Sequence, residues 1–320
     1  MKNIKKLLIF LIVITIILAI AVIFIDKNRQ DVSIETEKIK VVASFYPIAE
    51  FTKQVGGENV RVINIVPPGT KAHDFEPTSQ DIIQIYSAQI FIYHGSGFDP
   101  WAKKIALELK KRGVYVINMT EHFDLLKGTK DKHKDDYEKD KYKEEEFDPH
   151  IWLDPVLAKR KIEIIRDALK KVDNENAQEY INNAENYLMI LSQLHERFEK
   201  GLASCAIRYA VASHAAFNYL GKRYNINFIN IAGLSPKEEP SPKRMAEITE
   251  LAREKNIRYI FFETLVSPKL AETIAREIGI ETLVLNPVEG LTNEELAAGK
   301  NYILIMKENL VNLRRALQCQ

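Results

Sequence analysis

The sequence predicts an α/β protein with two lobes of parallel β-sheet flanked by helices, joined by one long rigid linker helix. Three observations predict it. Short β-branched runs alternate with helical patterns in an N-terminal block. The same alternation recurs in a C-terminal block, and a purely helical stretch lies between them. Strands interleaved with helices imply parallel sheets covered on both faces. At 320 residues, 46% of them apolar, the chain is long enough to bury a core of that size.

In the first block, residues 40–43, 60–66, 90–93 and 114–117 read as strands, with helices near 48–55, 79–86 and 101–111. In the second, 209–212, 227–231, 259–262 and 282–285 read as strands, again with helices between them. Between the blocks, Asp154 and Pro155 are an N-cap and first helical residue for a helix to about Val172. A second helix covers about 174–202. Its apolar residues Tyr180, Ala184, Tyr187, Leu188, Leu191, Leu194, Phe198 and Leu202 keep the three-and-four spacing of one buried stripe. At about 1.5 Å per residue it is roughly 40 Å long, the length of both lobes. Lobes fixed to one packed helix rock slightly and do not close widely, so a small opening motion is expected.

The N-terminus addresses a membrane. Lys2, Lys5 and Lys6 precede an apolar run over 7–25, and Asp26, Lys27, Asn28 and Arg29 restore polarity. Ala19-Ile20-Ala21 offers a small-x-small cleavage site of the secretory kind, whereas an uncut run of this length is about enough to span a bilayer. On either reading the remainder of the chain is exported and works outside the cytoplasmic membrane, at its outer face, the cell surface or the periplasm. No cysteine occurs in the first 200 residues, so a lipidated N-terminal cysteine is not expected. The two cysteines, Cys205 and Cys319, are expected to form a disulfide tying the C-terminal end to the start of the second lobe. A formal net charge of +1 gives no electrostatic case for nucleic acid as a partner.

Residues 127–146 differ from the rest: seven lysines, eight acidic residues, one histidine (His133) and almost nothing apolar. Such a segment buries too little surface to order itself and reads as a disordered charged loop. With a single histidine it reads as a solvated insertion rather than a metal-collecting flap.

From the residues alone the chain is a two-lobed exported α/β protein with a candidate metal site, whose candidate ligands are His73, His150, His214 and Glu289. His73 follows the 60–66 strand through the Pro67-Pro68-Gly69 turn, His214 directly follows the 209–212 strand, and Glu289 follows the 282–285 strand after Asn286-Pro287. Ligand sites in open parallel sheets collect outside the carboxyl ends of strands. No clear strand precedes His150, whose loop is stiffened by Pro149 and Pro155. Three imidazoles and one carboxylate suit a four-coordinate Zn²⁺, and a filled set leaves no open position for catalysis. His94, at a strand end beside Gly95, is not rejected as a further ligand by position alone. His195 reads as packing on the linker helix, and His122 has no assigned role.

Five stretches carry a resemblance. They are Pro67-Pro68-Gly69 through His73-Asp74; Asp148-Pro149-His150-Ile151-Trp152-Leu153-Asp154-Pro155; Ser213-His214-Ala215-Ala216-Phe217; Ala232-Gly233-Leu234-Ser235-Pro236 through Glu239-Pro240-Ser241-Pro242; and Leu285-Asn286-Pro287-Val288-Glu289-Gly290-Leu291. In this order they resemble the zinc-type metal-binding components of ATP-driven importers, the cluster A-I solute-binding proteins. The resemblance covers residues 40–317 apart from the charged insert, where many zinc members carry a histidine-rich loop. It implies two lobes joined by a long helix, with His73 and His150 from the first and His214 and Glu289 from the second closing on Zn²⁺ as a transported ligand. It also implies an ABC permease and its cytoplasmic ATPase as partners, with the chain itself a monomer. The expected organisation is a signal peptide or N-terminal membrane anchor over 1–37 and metal-binding lobes over 38–153 and 205–320, with linker helices over 154–204.

Manganese-type relatives tend to place carboxylates at the third and fourth positions. A nitrogen-rich shell favours zinc over that harder ion, and a manganese or iron carrier is the alternative cargo reading. Asp74 and Asp148 lie close enough in sequence to orient the ligands. A zinc hydrolase would need an open position and a general base, and the sequence has no His-Glu-x-x-His helix. A surface adhesin is the remaining alternative class. The chain is expected not to be an enzyme.

Overall fold

The computed structural model describes residues 14–15, 38–128, 147–236 and 240–320. The leader or anchor read at 1–37, apart from Ile14 and Thr15, and the charged insert, apart from Lys127 and Gly128, lie outside the described residues. The first lobe runs β1 (Ile39–Ala43), α1 (Tyr46–Gly56), β2 (Val60–Asn64), α2 (Ser79–Tyr86), β3 (Ile90–Tyr93), α3 (Pro100–Lys111) and β4 (Tyr115–Asn118). Its four strands are parallel, in the order β2-β1-β3-β4. After the linker helices α4 (Pro155–Val172) and α5 (Ala177–Leu202), the second lobe repeats the plan. It runs β5 (Tyr209–Ala212), α6 (Asn218–Tyr224), β6 (Asn227–Asn230), α7 (Pro242–Glu254), β7 (Tyr259–Phe262), α8 (Lys269–Ile278), β8 (Glu281–Val284), α9 (Asn293–Ala297) and α10 (Tyr302–Ala316). Its strand order is β6-β5-β7-β8, also parallel.

The expected alternation is present, with ends shifted by one or two residues, as terminal residues commonly are. The largest difference in the first lobe is at β2, which stops at Asn64 instead of continuing to Val66. Ile65 and Val66 stay buried and Ile65 N still donates to the Ala43 carbonyl at 3.0 Å, but Asn64 Nδ2 then donates to the Val66 carbonyl at 2.7 Å as the chain enters the Pro67-Pro68 turn. Two helix starts carry the caps expected of them. Thr78 and Asp81 form a capping box on α2. Asp154 Oδ1 accepts from the Val156 N–H at 2.8 Å, with Pro155 at the first helical position of α4.

Helix α5 has 26 residues, about 39 Å at the standard rise. Tyr180, Ala184, Tyr187, Leu191, Leu194, Phe198 and Leu202 of its stripe are buried, and Leu188 is half-buried at the edge. The helix packs on α4 and α1 at one end and on α6 and α10 at the other. His195 is half-buried on it, with Nδ1 3.0 Å from the Tyr224 hydroxyl.

The lobes do not have separate inner cores. One apolar cluster runs from Val41, Phe51 and Trp152 through Tyr180, Leu191 and Phe198 to Phe217, Tyr302 and Leu313. Smaller clusters cover the outer face of each sheet. Polar bonds cross between the lobes. Trp152 Nε1 donates to the Pro287 carbonyl at 2.7 Å, the Tyr302 hydroxyl donates to the Trp152 carbonyl at 2.6 Å, and Gly69 N donates to the Leu291 carbonyl at 2.7 Å. Arg223 pairs with Asp154 at 2.8 Å. Residues 38–320 accordingly form one compact unit. Cys205 and Cys319 are disulfide-bonded, fastening the end of α10 beside the end of α5. No helix among the described residues is long and apolar enough to cross a membrane.

Two outcomes follow from this shared core. Comparison of metal-free and metal-loaded protein by small-angle scattering or crystallography gives a lobe rotation of a few degrees; a rotation of tens of degrees contradicts it. The disulfide closes a loop with a sequence separation of 114. Replacing both cysteines by alanine therefore lowers the free energy of unfolding by about 2–5 kcal/mol, measured by denaturant titration, without loss of metal binding.

Candidate metal centre

Both sheets reverse their strand order once, between β1 and β3 and between β5 and β7, and the loops at the carboxyl ends diverge there to leave a crevice. His73 follows β2 on a short 3₁₀ turn, Ala72–Asp74. The chain reaches it through Gly69, whose φ of 79° suits glycine. His214 follows β5 by two residues. Its loop is set by Ser213 Oγ donating to the Phe261 carbonyl and Ala215 N donating to the Gly233 carbonyl. His150 comes from the segment before the linker, where Asp148 N bonds the Leu126 carbonyl and Lys127 pairs with Phe147 in an antiparallel bridge. That bridge brings together the two ends of the charged insert.

Glu289 is presented by a strained backbone. Val288 before it has φ 55°, a left-handed conformation uncommon for a β-branched residue. Surrounding bonds hold it there. Val288 N donates to Asn286 Oδ1 at 2.7 Å, while Asn286 is clasped by Asn309 through both its backbone N–H and its carbonyl.

The four predicted residues meet at one point, with donor atoms all within 4.8 Å of one another. Nε2 of His150 is 3.2 Å from Nε2 of His73 and 3.3 Å from Nε2 of His214. Glu289 Oε1 lies 3.3, 3.6 and 3.4 Å from Nε2 of His73, His150 and His214. Ligands at tetrahedral corners about 2.0–2.1 Å from a central ion stand about 3.3–3.4 Å apart. All four are buried or nearly so, and Glu289 Oε1 is buried without a hydrogen bond.

Outer partners aim two of the rings. His150 Nδ1 donates to Asp148 Oδ1 at 2.8 Å, and His214 Nδ1 donates to Glu263 Oε1 at 2.5 Å. When the rings are neutral, the hydrogen stays on Nδ1 and a bare Nε2 lone pair faces inward, which is the form that can bind a metal. Asp148 is itself held from the second lobe, by Asn218 Nδ2 at 2.9 Å and the Tyr219 hydroxyl at 2.8 Å on its carbonyl. Burial works against charge on His214, but Glu263 and Glu289 outweigh it and raise its pKa to about 10. Burial likewise opposes charge on His150, but its bond to Asp148 and the nearby Glu289 carboxylate raise the pKa. Burial would push the Glu289 carboxyl up, but the three imidazoles, His73 foremost, hold it well below the usual carboxylate range.

His94 is fully buried but does not join the donor group; its Nε2 sits 2.6 Å from the Pro149 carbonyl. His122 is exposed. Of the expected orienting residues, Asp148 takes that role. Glu263 and Asn218 were not singled out from the sequence. Glu263 directly follows β7, so the strand-end rule that found His214 could have found it; nothing local marks Asn218.

A sequence profile of the family described as zinc-uptake complex component A, periplasmic, matches residues 41–316. The chain is 38% identical over 278 residues to the zinc-binding lipoprotein AdcA of Streptococcus pneumoniae, an alignment covering 87% of this chain and 56% of that protein. The chain thus spans little more than half the length of that relative. It is 35% identical over 281 residues to the high-affinity zinc uptake system protein ZnuA of Bacillus subtilis, covering 88% of each. The fold is similar to the crystal structure of the Zn(II)-bound ZnuA-like domain of Streptococcus pneumoniae AdcA, with a TM-score of 0.75 and 38% identity over 88% of this chain and 99% of that one. The chain belongs to the family of periplasmic zinc-uptake complex component A.

Proposed function

We propose that this protein is the extracytoplasmic, high-affinity zinc-binding component of an ABC importer. It captures one Zn²⁺ between its lobes through His73, His150, His214 and Glu289 and delivers it to a membrane permease driven by a cytoplasmic ATPase. The observation that carries this reading is that the four donor atoms lie within 4.8 Å of one another, with five of their six pairs at 3.2–3.6 Å, which suits a small tetrahedral ion. Relatives whose names state zinc binding and zinc uptake support it. With four protein ligands the shell is closed, which suits reversible carriage; zinc enzymes keep a position open for water or substrate. Three nitrogens favour zinc over manganese. The basic N-terminus and apolar run place the chain outside the cytoplasmic membrane, held by that run wherever it is left uncut.

Competition titration with a chromogenic chelator tests the reading. The metal-free protein takes up one Zn²⁺ and prefers it to Mn²⁺, and Glu289→Gln or His150→Ala weakens binding by at least about 100-fold. A manganese preference would overturn the cargo assignment. Glu263→Gln, which alters only the partner of His214, costs about 10- to 100-fold.

The pH dependence has a definite sign. His214, with its pKa raised to about 10, carries a proton in the metal-free cleft throughout the neutral range, and zinc must displace it. Each displaced proton lowers affinity about tenfold per pH unit of acidification, so binding weakens about 100-fold or more from about pH 7.5 to about pH 5.5. Affinity that stays flat over this interval counts against the assignment.

A further inference from the structure

Lys161 on α4 has no solvent exposure, a rare state for a lysine, and forms no ion pair with a carboxylate among the described residues. Its Nζ lies 3.3 Å from His94 Nδ1 and 5.5 Å from the centre of the Trp152 ring. His94, at the end of β3, is equally buried and packed edge-on against Phe45, Phe98 and Trp152. Its backbone N–H donates to Asp99 Oδ2 at 2.6 Å. Neither residue belongs to the metal shell, and burying such polar groups costs free energy unless they are hydrogen-bonded, as these are to each other and to the Pro149 carbonyl.

The bonding directions are fixed by chemistry. The Pro149 carbonyl 2.6 Å from His94 Nε2 only accepts, so Nε2 carries the hydrogen. Burial, reinforced by Lys161, keeps the ring neutral. Nδ1 is therefore a bare acceptor, and Lys161 Nζ donates to it. The peptide that receives this bond joins Pro149 to the ligand His150. Its other end is also fixed, since His150 N donates to Asp148 Oδ1 at 2.9 Å. One peptide plane is thus held at its oxygen by His94 and by the Ile151 N–H, 2.7 Å away, and at its nitrogen by Asp148, and His94 is the part of this clasp that reaches back to the linker helix.

We propose that Lys161 and His94 form a buried relay, from linker helix to ligand loop, that positions His150 and so determines how tightly the cleft holds zinc. This inference rests on the zinc-carrier reading. Lys161 is a positioning residue: by donating to Nδ1 it reinforces the Nε2–H tautomer of His94 that the Pro149 carbonyl requires. Without it the ring either leaves Nδ1 unsatisfied or moves its hydrogen there. The second choice sets two acceptors against each other at Pro149 and displaces the loop.

The test compares His94→Leu, His94→Gln and Lys161→Met in the full chain. The readouts are zinc competition titration and the visible spectrum of the Co²⁺-loaded protein, which reports ligand geometry, with thermal unfolding of the metal-free forms alongside. Gln places an N–H donor where Nε2–H stood. The relay predicts that His94→Leu and Lys161→Met weaken zinc binding about tenfold and shift the Co²⁺ bands, while His94→Gln stays near the unaltered protein in both. Folded Leu and Met variants that match the unaltered protein in affinity and spectrum overturn the relay and leave the carrier reading standing. A His94→Gln variant as impaired as His94→Leu also overturns it, because the loss then comes from packing. Failure of the unaltered protein to bind zinc overturns the carrier reading itself, and the relay with it.

Discussion

Four donors contributed by two separate lobes stand 3.2–3.6 Å apart across most of their pairs, and that spacing is the constraint on which the molecule depends. Metal–ligand bonds tolerate errors of about 0.2 Å, so the lobes must be registered to within a few tenths of an ångström. The continuous apolar layer from Val41 through α5 to Leu313 supplies that registration. The bonds from Trp152 to Pro287, Tyr302 to Trp152 and Gly69 to Leu291 add direction to it.

On the proposed reading, the same arrangement reconciles tight holding with release. His73 and His150 come from one lobe and His214 and Glu289 from the other, so half the shell leaves the other half under a slight rocking. The outer bonds cross the cleft as well: Asp148, which aims His150, is held by Asn218 and Tyr219 of the second lobe. Relative movement of the lobes would therefore loosen a ligand as well as separate it from its partners. The strained Val288 beside Glu289 marks another place where position is imposed by surrounding bonds, here those of Asn286 and Asn309.

Much of this was legible in the sequence, for physical reasons. The β-branched runs of a sheet buried on both faces are nearly continuous, so the strands showed clearly; β3 is buried at every position. The stripe on α5 showed because a helix lying along two lobes needs one apolar face over its whole length. His73, His214 and Glu289 were marked by following strands. His150 was marked only by its flanking prolines and by the resemblance, because the excursion at 127–146 separates it from β4. What the sequence did not reveal are the long-range partners. Glu263 lies 49 residues from His214, Asn218 lies 70 from Asp148, and Lys161 lies 67 from His94. No local pattern encodes such pairings. His94 illustrates the limit: position alone left it a candidate ligand, and only its distance to Pro149 assigns it a supporting place.

The central claim is that three imidazoles and one carboxylate close on a single ion. X-ray absorption at the zinc edge, on protein loaded with one equivalent of Zn²⁺, tests it most directly. The account predicts four nitrogen or oxygen neighbours at about 2.0 Å with the outer-shell scattering of three imidazole rings. A six-coordinate shell, or scattering from fewer than three imidazoles, would contradict it.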